Sequence, residues 1–240
     1  MLSILCPTRM RGPSFRRFLD TLSQCKYANR IQIVIVVDNE EPLSSNMGGS
    51  ELIAGNYAGL FGQMKLFVST NRLYAIKAFN TAYEMSDQPL IIWLADDVYF
   101  EDKDWITKAI AIYAEKFEDK PGILSLTHGE GAGFGLAPRS YFETYNGGEF
   151  YHHGYVLQWA DVELTHRAIV MGRYAWVDED IVTHDKAVDG IFRNIDPSES
   201  YELKAKDKML YGVRRGHMFF MDRKKMVVQH DYLEWKESVV

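Results

Sequence analysis

The chain has 240 residues, 47% of them hydrophobic and 25% charged, enough for a sizeable core in one large domain or a domain with an appendage. These values exclude a disordered, collagenous or coiled-coil chain. Net charge is −6, which argues against a protein that coats nucleic acid. The charge divides unevenly: residues 1–185 hold 16 basic and 24 acidic side chains, and residues 186–240 hold 11 and 9. The two cysteines, Cys6 and Cys25, are too few for a disulfide framework or a cysteine zinc cluster and read as reduced thiols. No apolar run approaches the ~20 residues that span a bilayer, and the N-terminus lacks the charged start and long apolar stretch of a signal peptide. A cytoplasmic protein is expected.

Leu2 to Cys6 is a short apolar run stopped by Pro7, read as a buried strand. Ser14 is placed to cap a helix running to about Tyr27, with Phe15, Phe18, Leu19 and Leu22 on one face. Ile31 to Val37 is continuous and β-branched, as in a parallel strand covered on both sides, and it ends at Asp38-Asn39. A polar loop with Gly48-Gly49 follows, then a strand over Lys65–Ser69 and a helix over Tyr74–Met85. Leu90 to Ala95 is a further buried strand, broken by Asp96-Asp97. Trp105–Phe117 is an amphipathic helix and Ile123–Thr127 a strand. The glycines of residues 129–135 predict a mobile loop, Ala160–Met171 a helix that Gly172 ends, and Tyr174–Val177 and Ile181–Thr183 short strands. Alternating strands and helices over the first 130 or so residues predict a mostly parallel α/β sheet. Such sheets bind ligands at the carboxyl ends of their strands. Pro7-Thr8-Arg9, Asp38-Asn39 and Asp96-Asp97 would then line one crevice.

Carboxylates at a strand end, as in Asp96-Asp97, can hold a divalent cation through hard oxygen ligands, although a solvated turn is the commoner use of such a pair. Asp161 falls in the first turn of its helix, where the dipole favours the ionised carboxylate, and an ionised carboxylate in a cleft can take a proton from a hydroxyl. Glu163, two residues on, points to the other side of that helix, so only one of the two faces a common site. His184 at a strand end is placed to complete a metal sphere. His152, His153 and His166 have no recognised metal spacing. Phosphate-binding G-x-G-x-x-G and P-loop patterns, a nucleophile elbow and an H-E-x-x-H zinc helix are all missing.

Taken in order, these segments over about residues 2–185 resemble the family 2 glycosyltransferases of the GT-A fold. SILCPTR resembles the family's first strand and nucleotide-contacting turn, which implies that Pro7, Thr8 and Arg9 lie against the base. IVIVVDNEE resembles the second strand, with Asp38 as the base-contacting acid. NRLYAIKAFNTAYE is similar to the Asn-x-Gly…Arg-Asn-x-Gly segment, matching Asn71 and Asn80, with Leu73 and Thr81 in glycine positions and Lys77 in place of the arginine. LIIWLADDV resembles the strand of the Asp-x-Asp motif: Ala95 replaces the first aspartate, Asp96 takes the middle position, and Asp97 is the implied metal ligand. WADVELTHRAIVMGRYAWVDEDIVTHD is similar to Glu-Asp-x-Asp/Glu-Leu-x-x-Arg followed by Gly, a strand and His. It implies Asp161 as general base, with Ala160 before it, and His184 on the metal.

The resemblance implies a GT-A catalytic domain over residues 1–185 and inverting transfer of a hexosyl or pentosyl group from a nucleoside-diphosphate sugar, by default UDP-linked, with Mn2+ or Mg2+. Residues 186–240 are expected to form a basic, aromatic extension packing on or near the active site. Its segment 203–225 carries Lys204, Lys206, Lys208, Arg214, Arg215, Arg223, Lys224 and Lys225 against Asp207 and Asp222. Three readings stay open for it: docking of an anionic acceptor (modified DNA or a lipid phosphate), support of the donor diphosphate, or a packed tail with a solvated basic face. The acceptor is open among a glycan, a lipid and a modified nucleic-acid base. A nucleotidyltransferase on a related sheet and an inactive nucleotide-sugar-binding module are the alternative functions.

Overall fold

The computed structural model describes residues 1–9, 11–38, 49–118, 120–129, 131–185 and 197–220. Asn39, Gly48, Asp222, Arg223, Lys224 and Lys225 lie outside them.

β1 (Leu2–Thr8) and β2 (Ile31–Val37) pair in parallel at the heart of a seven-stranded sheet. The order is β3 (Gln63–Val68), β2, β1, β4 (Leu90–Trp93), β7 (Gly135–Pro138), β6 (Ile123–Ser125), β8 (Tyr174–Trp176). Only β7 runs against its neighbours β4 and β6, so the sheet is mostly parallel, as expected. β5 (Val98–Tyr99) and β9 (Thr183–His184) form a separate antiparallel ribbon. The β-branched run of β2 is buried throughout because successive side chains enter two different cores. Ile33, Ile35 and Val37 face one, together with Phe15, Phe18, Leu19 and Leu22 of α1 (Gly12–Ser23) and Trp105, Ile106 and Ala109 of α4 (Trp105–Phe117). Val34 and Val36 face the other. There Ile76, Ala78, Ala82 and Tyr83 of α3 (Tyr74–Met85) join Tyr141 and Phe142 of α5 (Arg139–Tyr145) and Leu164 and Ala168 of α6 (Ala160–Val170).

The expected bounds of β2, α3 and α4 match those observed. β1 runs two residues past the expected stop. Pro7 continues it because the ladder to β4 ends at Leu5↔Trp93, so beyond that point one side of β1 has no partner strand for a proline to interrupt. α1 begins at Gly12 with Pro13 in its first turn, so Ser14 is not its cap, and it ends at Ser23 before Tyr27, whose φ is 68°. α2 (Ser50–Tyr57), β5, β7, α5 and the helix over Pro197–Gly216 are additions to the expected elements. Both cysteines are buried and unbridged. Among the described residues no helix is long and apolar enough to cross a membrane.

The C-terminal helix α7 (Pro197–Gly216) is held to the domain by three buried side chains. Asp207 accepts from the amides of Val156 (3.1 Å), Leu157 (2.7 Å) and Gln158 (3.0 Å), closing the turns that lead into α6. Tyr211 packs on Trp159 at 5.0 Å between ring centres and hydrogen-bonds His166 Nδ1. Arg214 forks onto Glu163 with two 2.7 Å bonds, while the Tyr155 hydroxyl donates to the same carboxylate at 2.8 Å. Burial pushes the Glu163 carboxyl up, but the Arg214 and Tyr155 hydrogen bonds outweigh it and hold the pKa below the ordinary 4.5. Ionised Glu163 therefore favours folding fully above that value, and the contribution is lost as pH falls through the lower folded pKa. Removing one partner of a buried pair leaves the other charge uncompensated, at a cost of about 3–5 kcal/mol. Urea unfolding at neutral pH is expected to show a loss of that order for Arg214→Met. Glu163→Gln is expected to flatten the acid limb of the stability–pH curve, and an unchanged limb would remove this pair from the account.

Candidate active site

β2, β1 and β4 are neighbours, so the strand ends expected to line one crevice lie together at one edge of the sheet. Asp96 and Asp97 sit in the turn after β4, 3% and 4% exposed. The Thr8 hydroxyl at the end of β1 donates to Asp96 Oδ2 at 2.6 Å. Arg11 Nη1 bridges the two carboxylates, at 3.1 Å from Asp96 Oδ1 and 2.5 Å from Asp97 Oδ2. Burial pushes the Asp96 carboxyl up to about 6, Arg11 and Thr8 drawing it down and Asp97 adding to the rise. For Asp97 burial also acts upward, but the His184 hydrogen bond and Arg11 outweigh it and the net shift is downward.

The ribbon delivers His184. Val98, next to Asp97, pairs with His184, and the Asp185 amide donates to the Asp97 carbonyl at 2.9 Å. His184 Nε2 then lies 3.5 Å from Asp97 Oδ2. Asp97 Oδ1 is buried with no hydrogen-bond partner among the described residues. A buried carboxylate with one oxygen orphaned and the other 3.5 Å from an imidazole nitrogen fits a divalent cation that keeps its other positions for phosphate oxygens and water. Among the described residues no cluster of three His, Cys, Asp or Glu side chains is arranged around a metal position, and Asp97 and His184 are the pair brought together here.

Asp161 occupies the first turn of α6 and is half-buried. Its neighbour Glu163 is turned inward onto Arg214, so the expected division between the two faces is observed. The glycine-containing loop 129–135 connects Asp161 to the aspartate pair. A Cβ on Gly133 would stand 3.8 Å from Asp161 Oδ2, and the next residue, Phe134, packs edge-on against His184 at 5.3 Å. Contrary to expectation, the centre of this loop is pinned. The Ala132 carbonyl accepts from Trp93 Nε1 at 2.8 Å, and its amide donates to Thr165 Oγ1 at 2.9 Å, which in turn donates to the Asp161 carbonyl at 2.7 Å. Gly135 lies against Trp93 so closely that a Cβ would stand 2.3 Å from the indole. Glycine here serves close packing rather than mobility. Two bulky residues flank the site in the left-handed backbone region, Tyr74 (φ 60°) at the start of α3 and Trp159 (φ 72°) just before α6, a strain of about 1–3 kcal/mol each that surrounding contacts must hold.

Asp38 is buried behind this edge. Its carboxylate accepts from the amides of Leu73 (2.5 Å) and Tyr74 (3.1 Å) and pairs with Arg72 at 2.8 Å, so it anchors the entry to α3. Its own amide donates to the Thr8 carbonyl at 3.0 Å, which ties it to the strand-end group. Pro7 and Arg9 flank Thr8, both partly exposed. Asn71 and Lys77 are exposed, on the turn before α3 and on α3 itself. Asn80 is not presented to this crevice as a ligand. It is buried, and its amide clamps the Tyr151 backbone by donating to the carbonyl and accepting from the N–H, both at 2.9 Å. A buried amide so satisfied has little left to offer a substrate.

Sequence reasoning gave Phe134 no role and assigned neither Arg11 nor Arg214 its carboxylate partner. Arg11 had only its nearness to Arg9 to mark it, and Arg214 stood in a basic run that read as one surface, whereas it is buried against Glu163. Of that run, Lys204, Lys206 and Lys208 are exposed and Arg215 is half-buried.

The sequence profile of glycosyl transferase family 2 matches residues 3–122, half of the chain. A search of curated proteins gave no match. Among solved structures the fold is similar to that of S. aureus TarS, with a TM-score of 0.63 at 13% identity over 89% of this chain and 39% of TarS. TarS 1–349 in complex with UDP gives 0.60 at 13% identity, over 86% of this chain and 64% of that one. The mannosyltransferase PcManGT from Pyrobaculum calidifontis, in complex with GDP-Man and Mn2+, gives 0.56 at 18% identity, over 75% of this chain and 54% of that one. The chain thus spans less than two thirds of the length of each of these structures. With its sheet order, its strand-end acids and the profile match, it has the GT-A fold and belongs to glycosyl transferase family 2.

Proposed function

We propose that the protein transfers a sugar from a nucleoside-diphosphate sugar to an acceptor hydroxyl with inversion at the anomeric carbon. The observation that carries this reading is the pairing of Asp97 with His184 at the carboxyl edge of a family 2 sheet, with Phe134 against His184 and the loop that bears it bonded through the Ala132 amide and Thr165 to the first turn of α6, where Asp161 stands. The ligands of the similar structures, UDP for TarS and GDP-Man with Mn2+ for PcManGT, support a nucleotide-sugar donor and a divalent ion. UDP is the donor nucleotide we favour, with Pro7, Thr8 and Arg9 on the nucleoside side, Asp38 holding the turn before α3 behind them, and Asn71, Lys77 and Asp96 toward the ribose and diphosphate.

Asp97 and His184 would hold Mn2+ or Mg2+, which supplies Lewis-acid stabilisation of the departing diphosphate when bound. Asp161 does the proton chemistry. Its carboxylate, at the positive end of α6, accepts the proton of the acceptor hydroxyl as that oxygen bonds to the anomeric carbon and the bond to the diphosphate oxygen breaks. The Thr165 hydroxyl, the Ala132 amide and the Arg214–Glu163 pair fix the helix that carries it. The acceptor belongs to the part of the reaction for which a glycan, a lipid and a modified base remain the candidate classes.

Asp161→Asn is expected to lower transfer by about 10²–10⁴-fold while calorimetric titration shows unchanged binding of UDP and Mn2+; near-normal turnover would remove Asp161 from its role. Asp97→Ala is expected to abolish the Mn2+-dependent part of UDP binding in the same titration. A panel of labelled nucleotide sugars separates the competing activities. Sugar release or transfer supports this reading, pyrophosphate chemistry would indicate a nucleotidyltransferase, and binding without turnover a donor-binding module.

A further inference from the structure

Two neighbouring carboxylates, each almost fully buried, cannot both stay ionised without a counter-charge. The structure shows which group supplies it: Arg11 Nη1 lies within hydrogen-bond distance of both. It stands on Asp97 Oδ2, the oxygen that His184 Nε2 also approaches at 3.5 Å. The guanidinium therefore stands at the Asp97 oxygen that faces His184, so a divalent ion drawn to this carboxylate and imidazole would meet its positive charge there. The two sides of this contact differ in exposure. Asp96 and Asp97 are set in a buried turn at the sheet edge. Arg11 precedes α1, in neither strand nor helix, and its side chain is 29% exposed.

We propose that Arg11 is an exchangeable counter-ion. It neutralises the Asp96–Asp97 pair before the donor arrives and yields Asp97 to the divalent cation that comes with it. Repelled from the doubly charged ion, the guanidinium turns to the nearest new anion, the donor diphosphate, whose oxygens its planar fork matches. No bond is made or broken in this exchange; only ionic partners change. The inference rests on the metal position proposed above and adds that the position is guarded by the chain's own cation, so that metal and donor bind cooperatively.

The test uses the full chain without acceptor and follows free Mn2+ by electron paramagnetic resonance. Arg11→Gln is expected to bind Mn2+ about tenfold more tightly than the wild type in the absence of nucleotide, a coupling of ordinary size. Arg11→Lys, whose ammonium reaches fewer oxygens, is expected to fall between the two. With UDP added, Mn2+ affinity is expected to rise more for the wild type than for Arg11→Gln. Thermal melts in parallel read the same exchange without catalysis: Mn2+ is expected to raise the melting temperature of Arg11→Gln more than that of the wild type. If Arg11→Gln is too unstable to titrate, Arg11→Lys alone decides by binding Mn2+ more tightly than the wild type or not. Equal or weaker Mn2+ binding by the Arg11 variants, with Asp97→Ala still abolishing it, overturns the exchange and leaves the metal position standing. Mn2+ binding that survives in the Asp97→Ala, Arg11→Gln double variant overturns both.

Discussion

The geometry of the site follows from one constraint, the burial of two adjacent carboxylates at the end of β4. Like charges at this spacing in a low-dielectric setting are tolerated only under dense compensation. Each nearby polar feature supplies part of it. The end of β1 contributes the Thr8 hydroxyl, the approach to α1 contributes the Arg11 guanidinium, and a ribbon made with residues nearly ninety positions later contributes His184. The carboxylates are thus costly for the fold and held by it, which is the usual mark of groups kept for chemistry rather than for stability.

A second buried ion pair works differently. Arg214 and Glu163 are mutually satisfied, and Tyr155 and Arg167 complete the carboxylate's surroundings. This pair binds α7 to the helix that carries Asp161. Asp207 does the same for the turns before that helix, and Tyr74 reaches Glu199 at the other end of α7. A helix whose outer side is lysine-rich thus has an acid, a phenol and an arginine as its working inner side. Its charge total describes the side that faces water, and its role in the fold is set by the side that does not.

How much of this the sequence disclosed depended on the range of the interaction. β2, α3 and α4 were legible because their apolar spacing is a local property. The split between Asp161 and Glu163 was legible because it needs only the helical repeat. The grouping of Thr8, Asp38 and Asp97 followed from the rule that parallel strands present their carboxyl ends together. β7 was missed because Gly135–Pro138 is four residues long and bounded by glycine and proline, without the β-branched density that marks a strand. Asn80 looked like a ligand in the linear pattern, but its partner, the Tyr151 backbone, is 71 residues away. Arg11 was silent for the same reason, its carboxylates lying 85 and 86 positions downstream. The pinning of loop 129–135 depends on Trp93 and Thr165, which no local glycine count anticipates.

These separations also bear on how the molecule comes into being. Contacts between distant residues must close large loops before they stabilise anything, so they form late and slowly. The sheet's β1–β2 pairing can arise early during synthesis. The aspartate pair waits for His184, and the helix bearing Asp161 waits for Arg214. All the strands of the parallel half of the sheet, β3, β2, β1 and β4, are therefore synthesised before the residues that finish the centre. Of the two cationic partners of Asp97, Arg11 is made before the acids and His184 after them, so the arginine is the one already present when β4 is synthesised.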